Sequence, residues 1–246
     1  MSTQIYPVRF GINRCYLIRE EGVIMIDGGP PKKLKAFQKF IGGIPIRPED
    51  IRLIVLTHGD FDHVGSAGEI RSLTGAKIAI HENDRETFEK ALHHFPTGTT
   101  AWGHSLRFIL NPVTTVLFKF PGEKADIVLD NSDYPLHDFG INGPDIVLDD
   151  SDYPLNDFGI NGSIVYTPGH TSGSVSVLLE SGDAFVGCLA HNNLPFRLKP
   201  GLPIFADDIE EVRKNWKKVI ERGAKTIYPA HGDPFPVEII KKILKY

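Results

Sequence analysis

Residues 57–65, THGDFDHVG, decide how the rest of the chain is read. They follow the apolar run IRLIVL, 51–56, which is rich in β-branched residues and reads as a buried strand. His58, Asp60, Asp62 and His63 fall within six positions, where a strand gives way to a loop. Side chains gathered at a strand's end can converge on one point, as dispersed ones cannot. Imidazole together with carboxylate suits zinc, iron or manganese. The competing reading is a polar turn whose Asp and His only cap the next helix. Two later stretches count against it. TPGHTSGS, 167–174, sets His170 among turn residues, and YPAHGDP, 228–234, sets His231 directly after the apolar stretch 226–228. Three His-bearing turns, each after a β-like run, point to one site at one edge of a sheet.

Composition narrows the classes. A chain of 246 residues has room for one large domain or two small ones, with a sizeable core. Its net charge of −4 carries no basic footprint, so no nucleic-acid partner is expected. It has no long uncharged apolar stretch, so no membrane span is expected. The opening MSTQIYPVRF lacks the charged-then-apolar pattern of a signal peptide. Two cysteines, Cys15 and Cys188, make no disulfide framework. Together these features point to the cytoplasm. Cys15, inside RCYLIR, reads as a small buried apolar residue.

In chain order, strands are expected at 4–10, 14–19 and 23–26. The third ends in Asp27-Gly28-Gly29, where Asp27 is either an acceptor that orients a ligand His or a turn residue. Helices are expected at 33–41, 65–73 and 83–94, with a strand at 77–80. In the aromatic stretch 95–122, Trp102, Phe108, Ile109, Leu110 and Phe118 read either as an apolar wall over a small-molecule pocket or as ordinary helix packing. His93, His94 and His104 have no recognisable partner spacing. Further strands are expected at 163–167, 174–179, 184–187 and 226–228, with a Pro-rich loop at 191–206. A helix over 207–223 has Asp207 and Glu210 at capping-box spacing and a buried stripe of Ile209, Val212, Trp216 and Val219. A last amphipathic helix covers 236–246.

The oddest feature is a repeat. DIVLDNSDYPLHDFGING, 126–143, returns after Pro144 as DIVLDDSDYPLNDFGING, 145–162. The copies differ only at Asn131 against Asp150 and at His137 against Asn156. Two copies are too few for a solenoid, so this is a local tandem duplication. The second copy leads straight into 163–167 and the His170 turn. It is therefore expected to fill the native strand positions, with 126–143 as an added hairpin or loop at the sheet edge. An added edge exposes unpaired backbone groups, and a homodimer through this segment is the expected consequence.

These motifs resemble those of the metallo-β-lactamase superfamily. That family carries a His-x-His-x-Asp-His loop, a later Pro-Gly-His-Thr turn, a metal-bridging Asp after a strand, and a last His near the C-terminus. The resemblance runs from the opening strands to His231 and implies a single domain over 1–246. The implied fold is α/β, a four-layer αββα sandwich of two mixed sheets packed face to face with outer helices. Carried over position by position, one metal site would be His58, Asp60 and His170, and the other Asp62, His63 and His231. Two positions depart from the pattern. Asp60 stands for the second His, and in GDAFVGCLAHN, Cys188 stands where the bridging Asp is expected. The implied activity is hydrolysis of a small-molecule ester, thioester, lactone or phosphoester by hydroxide held on one or two zinc ions. Asp62 would also orient the attacking water. A carboxylate at 60 makes the metal a weaker Lewis acid and its water less acidic. A second expectation is non-haem iron redox chemistry on His58, Asp60 and His170, a two-His, one-carboxylate set; manganese is a further candidate metal. A third is a family member whose altered site binds without turnover.

Overall fold

The computed structural model describes residues 2–130, 146–147, 153–193 and 196–246. The apolar run of the sequence becomes a strand, Ile51–Val55, because both of its faces are covered. Leu53 and Val55 face one apolar cluster, and Ile54 and the following Leu56 face another. A strand buried on both sides reads as a continuous apolar run rather than an alternation. It is β4 of a sheet that also holds β1 (Gln4–Phe10), β2 (Asn13–Arg19), β3 (Val23–Ile26), β5 (Lys77–His81), β6 (Ile127–Asp130) and β7 (Ile146–Val147), in that spatial order. Pairing is antiparallel from β1 to β3 and parallel from β3 onward.

The second sheet holds β8 (Tyr153–Pro154), β9 (Gly162–Tyr166), β10 (Val175–Leu179), β11 (Asp183–His191), β12 (Thr226–His231) and β13 (Phe235–Pro236), ordered from β13 down to β8. Among the described residues of this sheet only β11 and β12 pair in parallel. Helices are α1 (Leu34–Ile41), α2 (Phe61–Val64), α3 (Ala67–Thr74), α4 (Glu82–Glu89), α5 (Ala101–Leu117), α6 (Ile209–Glu221) and α7 (Glu238–Leu244).

Three apolar clusters separate four layers. Tyr16, Ile24, Leu53 and Val55 meet Ile164, Val177 and Phe185 between the sheets. Phe37 of α1, Ile70 of α3 and Phe88 of α4 cover the outer face of the first sheet. Val212, Trp216 and Val219 of α6, with Ile240 of α7, cover the outer face of the second. This is the αββα sandwich that the motifs implied. Trp216 also donates its indole N–H to the Leu189 carbonyl at 2.9 Å, which ties α6 to β11 and satisfies that buried donor.

Local expectations fail where tertiary contacts claim a residue. The cap of α6 is Asp208, not Asp207; its carboxylate accepts the N–H groups of Glu210 and Glu211 at 2.9 Å. Asp207 is taken elsewhere: its N–H donates to the His170 carbonyl at 3.0 Å and its carboxylate pairs with His94 at 3.1 Å. The helix expected over 83–94 ends at Glu89, and Ala91 turns away at a φ of 50°. The strand expected to end at 187 continues to His191.

The repeat is divided differently from the expectation. The first copy's β6 lies inside the sheet, paired with β5, and the second copy's β7 lies outside it at the edge. The second copy's later half crosses to the other sheet as β8 and supplies buried Leu155 and Ile160 before β9. Chain order gives the reason: the first apolar strand to arrive after α5 takes the open place beside β5, and an identical strand can then pair only on its far side. Residues 131–145 and 148–152 lie outside the described part, so the expected hairpin is not addressed.

Candidate metal centre

The loop after β4 turns its charged side chains inward. Asp60 occupies the N-cap position of α2, yet its side chain makes no capping bond. The carboxylate instead lies 3.2 Å from His170 Nε2 and 3.5 Å from His58 Nε2. Helix capping therefore does not account for this residue. Asp27, at the end of β3 with a φ of 60°, is the anchor behind the loop. Its carboxylate accepts the Thr57 N–H at 2.8 Å, the Thr57 hydroxyl at 2.9 Å and His63 Nδ1–H at 2.8 Å. Because the one hydroxyl proton of Thr57 goes to Asp27, Thr57 Oγ1 accepts from His58 Nδ1 at 2.9 Å.

The other two histidines are wired the same way. His170 Nδ1 donates to the Phe205 carbonyl at 2.8 Å, and His231 Nδ1 to the Ile12 carbonyl at 3.4 Å. A proton held at Nδ1 leaves the Nε2 lone pair free to take a metal. Four rings thus commit Nδ1–H outward and keep Nε2 for the interior. Asp84, which carried no signal in the sequence, joins the two turns. It accepts the Gly59 N–H at 2.9 Å and the Thr171 hydroxyl at 2.7 Å. Asn13, one residue before the strand expected at 14–19, opens β2 and donates to Asp62 Oδ2 at 3.0 Å.

β11 brings the sulfur in. Its pairing with β12 slips between Phe185 and Gly187 and again before His191. Gly187 sits at a φ of 52°, and a Cβ there would lie 2.5 Å from Thr57 Oγ1, so only glycine fits. On a regular strand, Cys188 and His191, three apart, would point to opposite faces. The slip lets both reach the site. Cys188 Sγ lies 3.3 Å from His63 Nε2, and His191 pairs in register with His231. The sequence reading placed His191 at the start of a loop and missed it.

The expected groupings come together. Ligand atoms of His58, Asp60 and His170 lie within 4.8 Å of one another, as do those of Asp62, His63 and His231. Cys188 joins His58 and His63 in one further group, and His191 and His231 in another. His58 Nε2 and Asp60 Oδ1 are buried without a hydrogen-bond partner. Buried polar atoms are rarely left so, and a cation is the partner their chemistry fits. The mixed nitrogen, oxygen and sulfur set suits zinc or iron.

Electrostatics agree. Burial pushes the Cys188 thiol up, but His63, His231, His170 and His58 around it pull it well below its usual range. Burial alone would lower His63, His170 and His231; Cys188 and the neighbouring carboxylates outweigh it, leaving His231 raised to about 9 and the other two well above the usual value. Burial likewise raises Asp60 and Asp62, yet adjacent imidazoles hold both below the ordinary carboxylate value, Asp62 at about 2. His191 differs: burial dominates and lowers it to about 4. Without metal the cluster balances a thiolate and two carboxylates with imidazolium protons. A cation can take over that role as the protons leave.

The cluster floors a cavity of about 380 Å³ whose walls include Phe10, Ile12, Phe61, Phe95, Phe196 and Phe205. α5 contributes Leu110 and Thr114, and Phe118 follows it. Trp102, Phe108 and Ile109, expected either as wall or as packing, are neither; they are 55%, 85% and 60% exposed. His94 lines the cavity, where the sequence carried no partner for it. Among the described residues no helix is long and apolar enough to cross a membrane.

Comparison with known proteins places this geometry. A metallo-β-lactamase superfamily profile matches residues 8–231. Among solved structures, a metallo-β-lactamase superfamily protein of the archaeon Sulfolobus tokodaii is similar with a TM-score of 0.63 and 21% identity, over 98% of this chain and 84% of that one. A metallo-β-lactamase family protein from Thermus thermophilus gives 0.64 and 17%, over 99% and 78%. A subclass B3 metallo-β-lactamase of Bradyrhizobium japonicum gives 0.59 and 22%, over 92% and 74%. At these identities the solved structures speak for the fold, whereas the profile spans nearly the whole chain and includes every histidine of the site, ending on His231. The chain belongs to the metallo-β-lactamase superfamily.

Proposed function

We propose that this protein is a metal-dependent hydrolase of a small ester, thioester, lactone or phosphoester that carries an apolar group. One observation carries the reading: four Nε2 atoms, two carboxylates and a thiol converge beneath an apolar cavity, with Asp60 Oδ1 buried and unpaired and His58 Nε2 buried without a hydrogen bond, 3.5 Å from the other Asp60 oxygen. His58, Asp60 and His170 would hold one ion; Asp62, His63 and His231, with Cys188 beside them, would hold a second. A metal bound there supplies Lewis acidity to an attacking water and to the bond it attacks. Asp62, steadied by Asn13, faces the cavity and is placed to orient that water. The aromatic walls take up the apolar part of the substrate and keep bulk water from the polar floor.

A second reading rests on the two-His, one-carboxylate group of His58, Asp60 and His170, a set that also serves non-haem iron. One experiment separates the two. Protein purified without added metal is analysed for metal, then tested for oxygen uptake and against esters, thioesters, lactones, phosphodiesters and a β-lactam. The β-lactam is included because similar folds bear that name. Bound zinc, with hydrolysis lost to chelator and restored by zinc, is the expected result. Bound iron with oxygen uptake and no hydrolysis favours the second reading. Absence of tightly held metal and of turnover removes both.

A further inference from the structure

Five histidines surround Cys188, and one is wired in reverse. His58, His63, His170 and His231 each give Nδ1–H to an outward acceptor. His191 Nδ1 instead faces the backbone N–H of Ile204 at 3.4 Å. A backbone N–H can only donate, so Nδ1 of His191 is the bare nitrogen and Nε2 carries the proton of the neutral ring. A protonated Nε2 has no lone pair for a metal. Proximity alone groups His191 with Cys188 and His231 as a candidate ligand, but this hydrogen-bond pattern argues against that role.

The placement suits a donor. His191 is 1% exposed and lines the cavity; its Nε2 is buried with no hydrogen bond of normal geometry, and the nearby Cys188 sulfur is the acceptor that a substrate oxygen must outcompete. Its ring is held between Phe196 at 5.0 Å and His231 at 5.3 Å, so it cannot readily turn. A fixed, desolvated N–H beside a hydrolytic centre serves best where negative charge develops on oxygen. We propose that His191 is a catalytic hydrogen-bond donor, presenting Nε2–H to the substrate oxygen that becomes negatively charged, and that it is not a metal ligand. The catalytic half of this statement rests on the hydrolase reading above; the donor half does not.

The test has three arms. In zinc-loaded, 15N-histidine-labelled protein, long-range nitrogen–proton correlations assign each tautomer. Four site rings should show Nδ1–H with a metal-shifted Nε2, and His191 alone Nε2–H. His191→Leu should keep the metal stoichiometry of the wild type. It should bind phenylphosphonate, an oxyanion with an apolar ring, at least tenfold more weakly, while His191→Gln, which retains an N–H, stays near wild type. Against any ester the wild type turns over, His191→Leu should lose ~10²–10³ in kcat with little change in KM. A metal-shifted Nε2 on His191, loss of a metal equivalent in His191→Leu, or unchanged phenylphosphonate affinity overturns the proposal. Absence of ester turnover in the wild type counts against the hydrolase reading, and the tautomer and phenylphosphonate arms still decide the donor.

Discussion

His58, Asp60 and His170 form one half of the cluster and Asp62, His63 and His231 the other, and the halves differ in what holds their carboxylates. Asp62 is steadied from outside by the Asn13 amide, and His63 by the charged acceptor Asp27. Asp60 leans only on its own two histidines, and one of its oxygens is unpaired. Its histidines are oriented by neutral acceptors, the Thr57 hydroxyl and the Phe205 carbonyl. The second half is thus organised by its surroundings, whereas the first is aimed at whatever sits between its own donors. The first half has the unspent ligand atoms; the second has the scaffold.

That contrast can be broken most directly at Asp60. Asp60→Ala should abolish metal retention in the first half while leaving the second half loaded, so that metal content falls to what Asp62, His63 and His231 hold. Equal loss from both halves would show that they do not bind independently. Metal analysis after gel filtration reads this directly.

pH gives the next largest effect. His231 is raised to about 9, so in metal-free protein its charged form stabilises the fold fully below its ordinary value of about 6.5, and that contribution is lost as pH climbs through about 9. A metal must displace the same proton. His63 in the same half is also raised, so affinity of the second half should rise between about tenfold and a hundredfold per pH unit from roughly 7 to 9. Competition titrations with a chromophoric chelator check the slope.

Asp27→Asn sharpens the comparison further. The amide oxygen can still accept from Thr57, but an amide N–H₂ then faces His63 Nδ1–H. To escape two opposed donors, His63 must move its proton to Nε2, the nitrogen that faces the cluster. Metal affinity in the second half should fall ~10–100-fold with the first half spared. Thermal unfolding should show a loss of about 1–3 kcal/mol for the buried mismatch.

Smaller still is the effect expected of Cys188→Asp. The charge is unchanged and a softer donor becomes a harder one, so turnover should rise several-fold with metal content kept. Peroxide, which damages a thiolate and not a carboxylate, should strip metal from the wild type and spare the variant. Unchanged metal and activity in both experiments would leave Cys188 as an inert buried thiol.

Deleting one repeat unit, 126–144, should touch the site least. The remaining IVLD can take the place beside β5 and run on into β8, so the shortened chain should fold and keep its metal. Analytical ultracentrifugation of both forms tests the proposal that the duplicated edge supports a dimer. Failure to fold would mean that both copies are needed in the sheet.

Much of the site was legible because ligand loops sit where strands end. The apolar run before residue 57 announced β4, and each of His58, His170 and His231 followed a β-like run. The expected single sheet edge is in fact two: β4 ends in the first sheet and β9 and β12 in the second, and the face-to-face packing of the sheets brings those ends together. Asp27 was legible only as an alternative, because an Asp before two glycines looks the same whether or not a histidine leans on it. α6 showed its buried stripe, but its cap moved by one residue because His170's turn had claimed Asp207.

By itself, then, the sequence determined most strands and helices outside 95–162, the residue types that converge, and the two departures at Asp60 and Cys188, but not α5. These follow from local periodicity and from side-chain chemistry, which each segment carries with it. Only the tertiary structure decided which copy of the repeat lies inside the sheet, that Asn13 and Asp84 brace the site, and that His191 belongs to it. Two identical strands cannot be told apart until chain connectivity orders them. Likewise, Cys188 and His191 point the same way only through a slip in register, which depends on β12 alongside and not on any residue between them.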